Sequence, residues 1–231
     1  MNIKHFLKNN FFTKPLYKFL QNIKQKKINK KKNTLMKKNG LATLKSLQAF
    51  FDSQDKAFFF DMGTLLGAIR EGDFIGHDLD IDVAVFLNNE EEKKNMIKEM
   101  ENSGSVEKFR FTFNNKIIES SFVLNGVKYD LNFYEKLEEK DVCYLMYRDP
   151  SLTYGSEEFD VVQLTCSPIG EIKKFNFKDV LINVPNDCEK YLSERYGQNW
   201  RIKDKNYIYW KGPSTSKVEG KGYRVVINER A

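Results

Sequence analysis

Acidic residues are missing from the first 51 positions of this 231-residue chain, a segment that holds 13 lysines. The other 180 residues carry 25 basic and 32 acidic groups, so the net charge of +6 describes a basic arm on a mildly acidic body. Long apolar runs are missing too. No stretch approaches the roughly 18 residues of a membrane-spanning helix, and no cleavable signal pattern is present. The expectation is a cytoplasmic protein, peripheral at the inner face of the membrane if the arm touches it. Cysteines number three, Cys143, Cys166 and Cys188, too far apart for a metal-type pair. An odd, unclustered set argues against a disulfide framework and for buried free thiols in a reducing compartment. Neither a Gly/Ser/Pro-rich linker nor an internal repeat divides the chain. With 41% hydrophobic residues, one domain with a real core is expected.

What is present begins with the arm, taken as residues 1–40, ahead of a folded domain over 41–231. It mixes Phe6, Leu7, Phe11, Phe12, Leu16, Phe19 and Leu20 with lysines. Such a mixture suits an anionic membrane surface, contacted through residues 1–38, with each basic residue worth about 1 kcal/mol. It equally describes a solvated tail. Pro15 predicts two short amphipathic pieces rather than one long helix. The lysine run at 24–32 is able to attract RNA phosphates, but no recognition module accompanies it, and nucleic acid is not the expected partner.

Beyond Gly40 the pattern is regular. Leu41, Leu44, Leu47 and Phe51 recur at helical spacing. Phe58–Phe60 reads as a short buried strand, "TLLGAIR" as a helix, "DLDIDVAVF" as a strand, and "NNEEEKKNMIKEMENSG" as a charged helix stopped near Gly104. Strand-like segments follow at 108–113, 116–124 and 127–134, the last two joined by Asn125–Gly126, a strong hairpin signal. More lie at 142–146, 161–166 and 173–184, and "CEKYLSERYGQNW" is a helix stopped by Gly197. The class is α+β, a mixed sheet flanked by helices.

In the second strand Asp78, Asp80 and Asp82 alternate with Leu79, Ile81, Val83 and Val85. Residues i and i+2 of a strand lie about 7 Å apart, so their side chains can converge on one cation. Ionised carboxylates repel one another unless a divalent ion neutralises them, and Mg²⁺ or Mn²⁺ suits an all-oxygen set. A lone D-x-D is also what a bare acidic surface looks like. The preceding "GTLLG" turn shifts the balance, because the amides of Gly63 and Thr64 and the Thr64 hydroxyl can meet phosphate oxygens at a helix start. Arg70, two turns on, offers a bidentate phosphate contact. An anion site beside a metal site gives the carboxylates a purpose.

The order "GTLLGAIREGDFIGHDLDIDVAV" resembles the signature of the LicD and fukutin family, a branch of the nucleotidyltransferase superfamily. "VPNDCEKYLSERYGQNW" is similar to that family's C-terminal Pro, Tyr-Leu and Tyr-Gly helix. The chain departs from the family at Gly76–His77, where a bulky residue often precedes the acidic run. The resemblance implies a nucleotidyltransferase-like sheet and a third carboxylate on a later strand. Asp130 in "NGVKYDLNFY" is the candidate, sharing its face with Lys128 and Asn132; read without the family it is a strand-end residue. It further implies a transferase that moves a phospho-alcohol such as phosphocholine or ribitol phosphate. By the same resemblance the donor would be CDP-linked (CDP-choline or a similar compound), the acceptor an oligosaccharide or glycolipid of lipopolysaccharide, capsule or a similar glycan, and CMP would leave. Asp80 and Asp82 would hold the ion across the donor pyrophosphate, with Asp78 as an extra ligand. Gly63, Thr64 and Arg70 would bind phosphate oxygens. Asp130 would complete the metal site or accept the proton of the attacking hydroxyl. The alternative is a true nucleotidyltransferase acting on a small molecule or RNA with pyrophosphate release. An inactive assembly factor is a third reading, against which the intact acidic set argues.

Overall fold

The computed structural model describes residues 14–87 and 89–228. The aromatic anchors Phe6, Phe11 and Phe12 lie outside the described residues. Helix α1 (Lys14–Asp52) is a single helix of 39 residues running through the expected boundary at Gly40. Of the two short pieces expected on either side of Pro15, the first lies outside the described residues, and the second is not short but runs the full length of this helix. The two halves of α1 differ. Phe19, Leu20, Ile23 and Ile28 are exposed, whereas Met36, Leu44, Leu47 and Phe51 are buried against the body.

Phe51 then stacks on Phe58, ring centroids 4.7 Å apart, at the start of β1 (Phe58–Phe60). All three phenylalanines of β1 are buried, each contributing about 1.5–3 kcal/mol through removal from water. Strand β1 lies antiparallel to β2 (Asp80–Phe86), and helix α2 (Met62–Glu71) connects them. Helix α3 (Glu90–Asn102) follows, its N-cap Asn89 accepting from the Glu92 amide at 2.8 Å. Strands β3 (Val106–Phe113), β4 (Lys116–Leu124) and β5 (Val127–Lys136) form an antiparallel meander, with β5 parallel to β2. Asn125 and Gly126 take φ of 54° and 78°, the left-handed pair that a two-residue hairpin demands.

From β5 the sheet continues through β6 (Asp141–Tyr147) and β7 (Glu158–Cys166) to β11 (Gly222–Val226), which returns to β3. Strands β3, β4, β5, β6, β7 and β11 therefore close a barrel-like ring, leaving β1 and β2 as a flange on β5. Closure covers backbone edges that an open sheet would expose. Strand β10 (Thr215–Lys217) pairs with β7. The segment expected as one strand at 173–184 is instead a hairpin of β8 (Ile172–Phe177) and β9 (Val180–Pro185), turned at Lys178 with φ 57°. Helix α4 (Cys188–Tyr196) ends at Gly197 as expected. The mixed α+β class holds; the closure of the ring does not follow from the strand pattern. All three cysteines are free and buried.

Candidate active site

Alternation along β2 buries Ile81 and Val83 fully and leaves Asp80 and Asp82 partly buried on the opposite face. The parallel register sets Asp80 beside Lys128 and Asp82 beside Asp130, on strands about 4.8 Å apart. The hairpin register of β4 and β5 then puts Ser121 opposite Asp130 and Glu119 opposite Asn132. Asp130 is 7% exposed and is held from two sides. The Ser121 hydroxyl donates to its Oδ1 at 2.5 Å, and Lys128 Nζ donates to its Oδ2 at 2.5 Å. The same ammonium reaches Asp80 Oδ2 at 3.0 Å.

Asp78 precedes the strand, and its carboxylate lies on the backbone of Gly63. A Cβ at position 63 would stand 2.0 Å from Asp78 Oδ2, so any larger residue there would push that carboxylate aside. The second glycine of "GTLLG" is fixed more firmly, by backbone. A Cβ at Gly67 would come within 2.6 Å of the Asp73 carbonyl, in the loop that carries the chain back to Asp78.

Crowding shows in the proton affinities. Burial, and then the Asp80 charge, push the Asp78 carboxyl up to about 7. Burial also drives Asp82 well above the usual carboxylate range, reinforced by Asp80, Asp130 and Asp78. Asp130 is raised by burial, against the pull of Lys128. Glu119 is lifted to about 8 by burial and by Asp130. Burial works against the charge of Lys128, but Asp130, Asp80 and Glu119 together raise its proton affinity well above normal. The site is a partly dry pocket of acids with one ammonium among them.

The phosphate-binding candidates fare differently. Thr64 is buried, and its hydroxyl accepts the Asp82 amide at 3.0 Å, tying the start of α2 to the acidic strand. Gly63 is beside the carboxylates. Arg70 is not brought to them. It lies near the end of α2, donating to Glu71 at 2.8 Å and to the Trp200 carbonyl at 3.3 Å. His77 lines a cavity of about 760 Å³ with Asn33, Lys30, Lys37 and Lys38 of α1, beside the acidic loop.

Sequence reasoning missed three contributors. Glu119 and Ser121 were reachable, because an Asn-Gly turn that pairs Leu124 with Val127 fixes Ser121 opposite Asp130 by counting back. Asp61 had no such signal. Its carboxylate is fully buried between the hydroxyls of Tyr134 and Tyr191, each at 2.7 Å, and its amide donates to the Asp82 carbonyl at 3.0 Å.

Among the described residues no three His, Cys, Asp or Glu side chains are gathered tightly enough to cage an ion unaided. The donor set nonetheless fits Mg²⁺ or Mn²⁺. It is all oxygen, a cation already sits between two of its members, and Mg²⁺ is commonly held by only one or two carboxylates plus substrate phosphates.

The family model LicD/FKTN/FKRP, nucleotidyltransferase domain, matches residues 55–187, a span containing all of these carboxylates. Curated proteins similar to this chain include ribitol-5-phosphate transferase FKTN of Macaca fascicularis, Homo sapiens and Mus musculus. Each is 24% identical over 164 residues, covering 71% of this chain and 33% of the relative. The chain thus matches about a third of the length of these relatives.

Proposed function

The chain belongs to the LicD/FKTN/FKRP nucleotidyltransferase-domain family, and from that premise we propose that it transfers a phospho-alcohol from a CDP-linked donor to a glycan hydroxyl, releasing CMP. The observation that carries this reading is the pairing of Asp82 with Asp130 on adjacent parallel strands, flanked by Asp80, with Asp78 packed on the Gly63 turn. Ribitol phosphate is the first group to try, since the similar curated proteins are named for it, with phosphocholine next.

The residues divide the work by position. Asp80 and Asp82, with Asp78 beside them, would hold Mg²⁺ or Mn²⁺; bound there, the ion would neutralise charge on the donor phosphates and orient them. Asp130, raised by burial against the pull of Lys128, would complete that ion site from β5 or accept the hydroxyl proton of the acceptor. Gly63 gives the Asp78 carboxylate room at the start of α2, so its backbone would meet a donor phosphate only once that carboxylate has turned to an ion. Thr64 acts by fixing the register of α2 against β2, since its hydroxyl is already engaged. Arg70 has both terminal nitrogens engaged, by the Trp200 carbonyl and Glu71, so a phosphate would have to compete with these partners or take the buried Nε, which has none among the described residues.

The first half of α1, with Phe19, Leu20, Ile23 and Ile28 exposed among lysines, suits an anionic membrane surface near which a glycan acceptor is assembled. No helix among the described residues is long and apolar enough to cross a membrane.

The test is incubation of the full chain with CDP-ribitol, CDP-choline and CDP-glycerol and Mg²⁺, with and without glycan acceptors. CMP and a phosphodiester-linked product are expected, and EDTA should stop both. Release of pyrophosphate from CTP, ATP or UTP, with no CMP from any CDP-alcohol, would replace this reading with a true nucleotidyltransferase.

A further inference from the structure

Asp78, Asp80, Asp82, Asp130 and Glu119 share one neighbourhood, and the cation among them is Lys128. Its ammonium bridges Asp80 Oδ2 at 3.0 Å and Asp130 Oδ2 at 2.5 Å. Among the described residues neither Asp78 nor Asp82 has a salt-bridge partner. The bridge is set by backbone geometry rather than by chance contact of a surface side chain. Lys128 is the register partner of Asp80 on the parallel strand and lies two residues before Asp130 on the same face of β5. An ammonium between carboxylates of two strands occupies the kind of place a divalent ion would take.

We propose that Lys128 is a tethered counter-cation that fills the position between Asp80 and Asp130, so that a divalent ion entering there must displace it. The inference rests on the metal-dependent reading above. Two features make displacement feasible. The side chain is 25% exposed, so the ammonium has a route to solvent, and its four-carbon stem turns about single bonds without moving β5. The consequence is a site held ready by its own charge when no ion is bound. The freed ammonium is then available to an anion such as a donor phosphate.

Binding of Mn²⁺ to the full chain, followed by loss of the free-ion paramagnetic resonance signal, tests this. Lys128→Met removes the competing charge and should bind Mn²⁺ roughly tenfold or more tightly than the unmodified protein. Lys128→Arg keeps the charge and should bind as the unmodified protein does. Equal or weaker binding by Lys128→Met, or the same gain in Lys128→Arg, overturns the proposal. A second measurement needs no variant, should Lys128→Met fail to fold. Mn²⁺ should increase acylation of Lys128 by an amine-directed reagent, read by mass spectrometry against the exposed Lys94. Unchanged or reduced acylation of Lys128 at saturating Mn²⁺ also overturns it. If no protein binds Mn²⁺ at all, the metal-dependent function falls with it. Equal binding in unmodified protein and Lys128→Met removes only the role of Lys128.

Discussion

Asp61 and Asp82 are neighbours joined by a backbone hydrogen bond of 3.0 Å, yet the protein treats their carboxylates in opposite ways. Asp61 is fully buried, and each of its oxygens accepts a tyrosine hydroxyl, from Tyr191 and Tyr134. Asp82 accepts no hydrogen bond on its side chain among the described residues and faces Asp80, Asp130 and Asp78 instead. A buried charge is tolerable when donors surround it. Where donors are withheld and like charges are added, a cation from outside would relieve the cost, as the proposed function asks. Asp61 thus reads as structural, knitting α2, β5 and α4 together, and Asp82 is the residue to which the proposal gives a functional role.

Breaking the functional side should have the largest effect. Asp82→Asn keeps the shape of the side chain and removes a charge that its neighbours oppose. Turnover of the CDP-alcohol donor should fall on the order of a thousandfold, while the thermal midpoint stays level or rises. Near-normal turnover would move the metal site away from β2. A lowered midpoint would mean that Asp82 is satisfied in a way the comparison with Asp61 denies.

Asp61→Ala should show the reverse pattern. It deletes two hydrogen bonds to a fully buried side chain and opens a small void, a loss of about 3 kcal/mol or more. Chemical denaturation should report it as a lower midpoint with an unchanged slope. Tyr191→Phe removes one donor and should cost less, because the Tyr134 hydroxyl still reaches Asp61 at 2.7 Å. If Asp61→Ala is as stable as the unmodified protein, the structural assignment fails.

Much of the functional side was legible in the sequence because strand alternation is a short-range rule. Asp80 and Asp82 fell on one face with Ile81 and Val83 on the other, and the Asn125–Gly126 turn located β5 and Asp130. The structural side was not legible. Asp61 meets Tyr191 across 130 residues, and no local pattern encodes that contact. The same limit hid the closure of the ring, which depends on β11 returning to β3 near the end of the chain. The length of α1 was not legible either. Apolar residues at helical spacing mark its second half, whereas the lysine-rich stretch before Gly40 has no apolar face to announce a helix.

The comparison extends to pH, with a smaller effect. Asp78 is raised from 3.8 to about 7 and Glu119 from 4.5 to about 8, so the folded state binds more protons than the unfolded chain between roughly pH 4 and 8. Their contribution is complete below the unfolded values and is lost as pH rises through the folded ones. The thermal midpoint in EDTA should therefore fall by a few degrees from pH 5 to pH 8. The lowered carboxylates, such as Asp52 and Glu71, change below this window and do not mask the trend. Asp78→Asn should flatten the slope, and Mn²⁺ at pH 8 should restore the midpoint. A midpoint that rises with pH in EDTA would show the acids to be paired already.

The smallest effect on the folded body is expected where the charge imbalance has the other sign. The first half of α1 carries lysines with no acid nearby in sequence, and Phe19 and Leu20 are 60% and 55% exposed. From Asn33 onward the helix belongs to the body. The Asn33 side chain donates to the Gly76 carbonyl at 2.7 Å, and Met36 is buried in the core. Two truncations separate these halves. Removing residues 1–28 should shift stability by no more than about 0.5 kcal/mol and spare turnover of soluble donor, since residues 19–28, where burial is described, are all exposed. It should also abolish sedimentation with anionic liposomes, which in the full chain should weaken as salt rises and screens the lysines over roughly 8–10 Å. Removing residues 1–38 takes Asn33 and Met36 as well, so it should lower the midpoint and loosen the Gly76–Asp78 loop beside the site. Full-length protein that ignores anionic liposomes at low salt ends the membrane reading. Loss of turnover in the shorter truncation would make the exposed half of α1 part of the catalytic unit, an acid-and-base surface rather than a body with an arm.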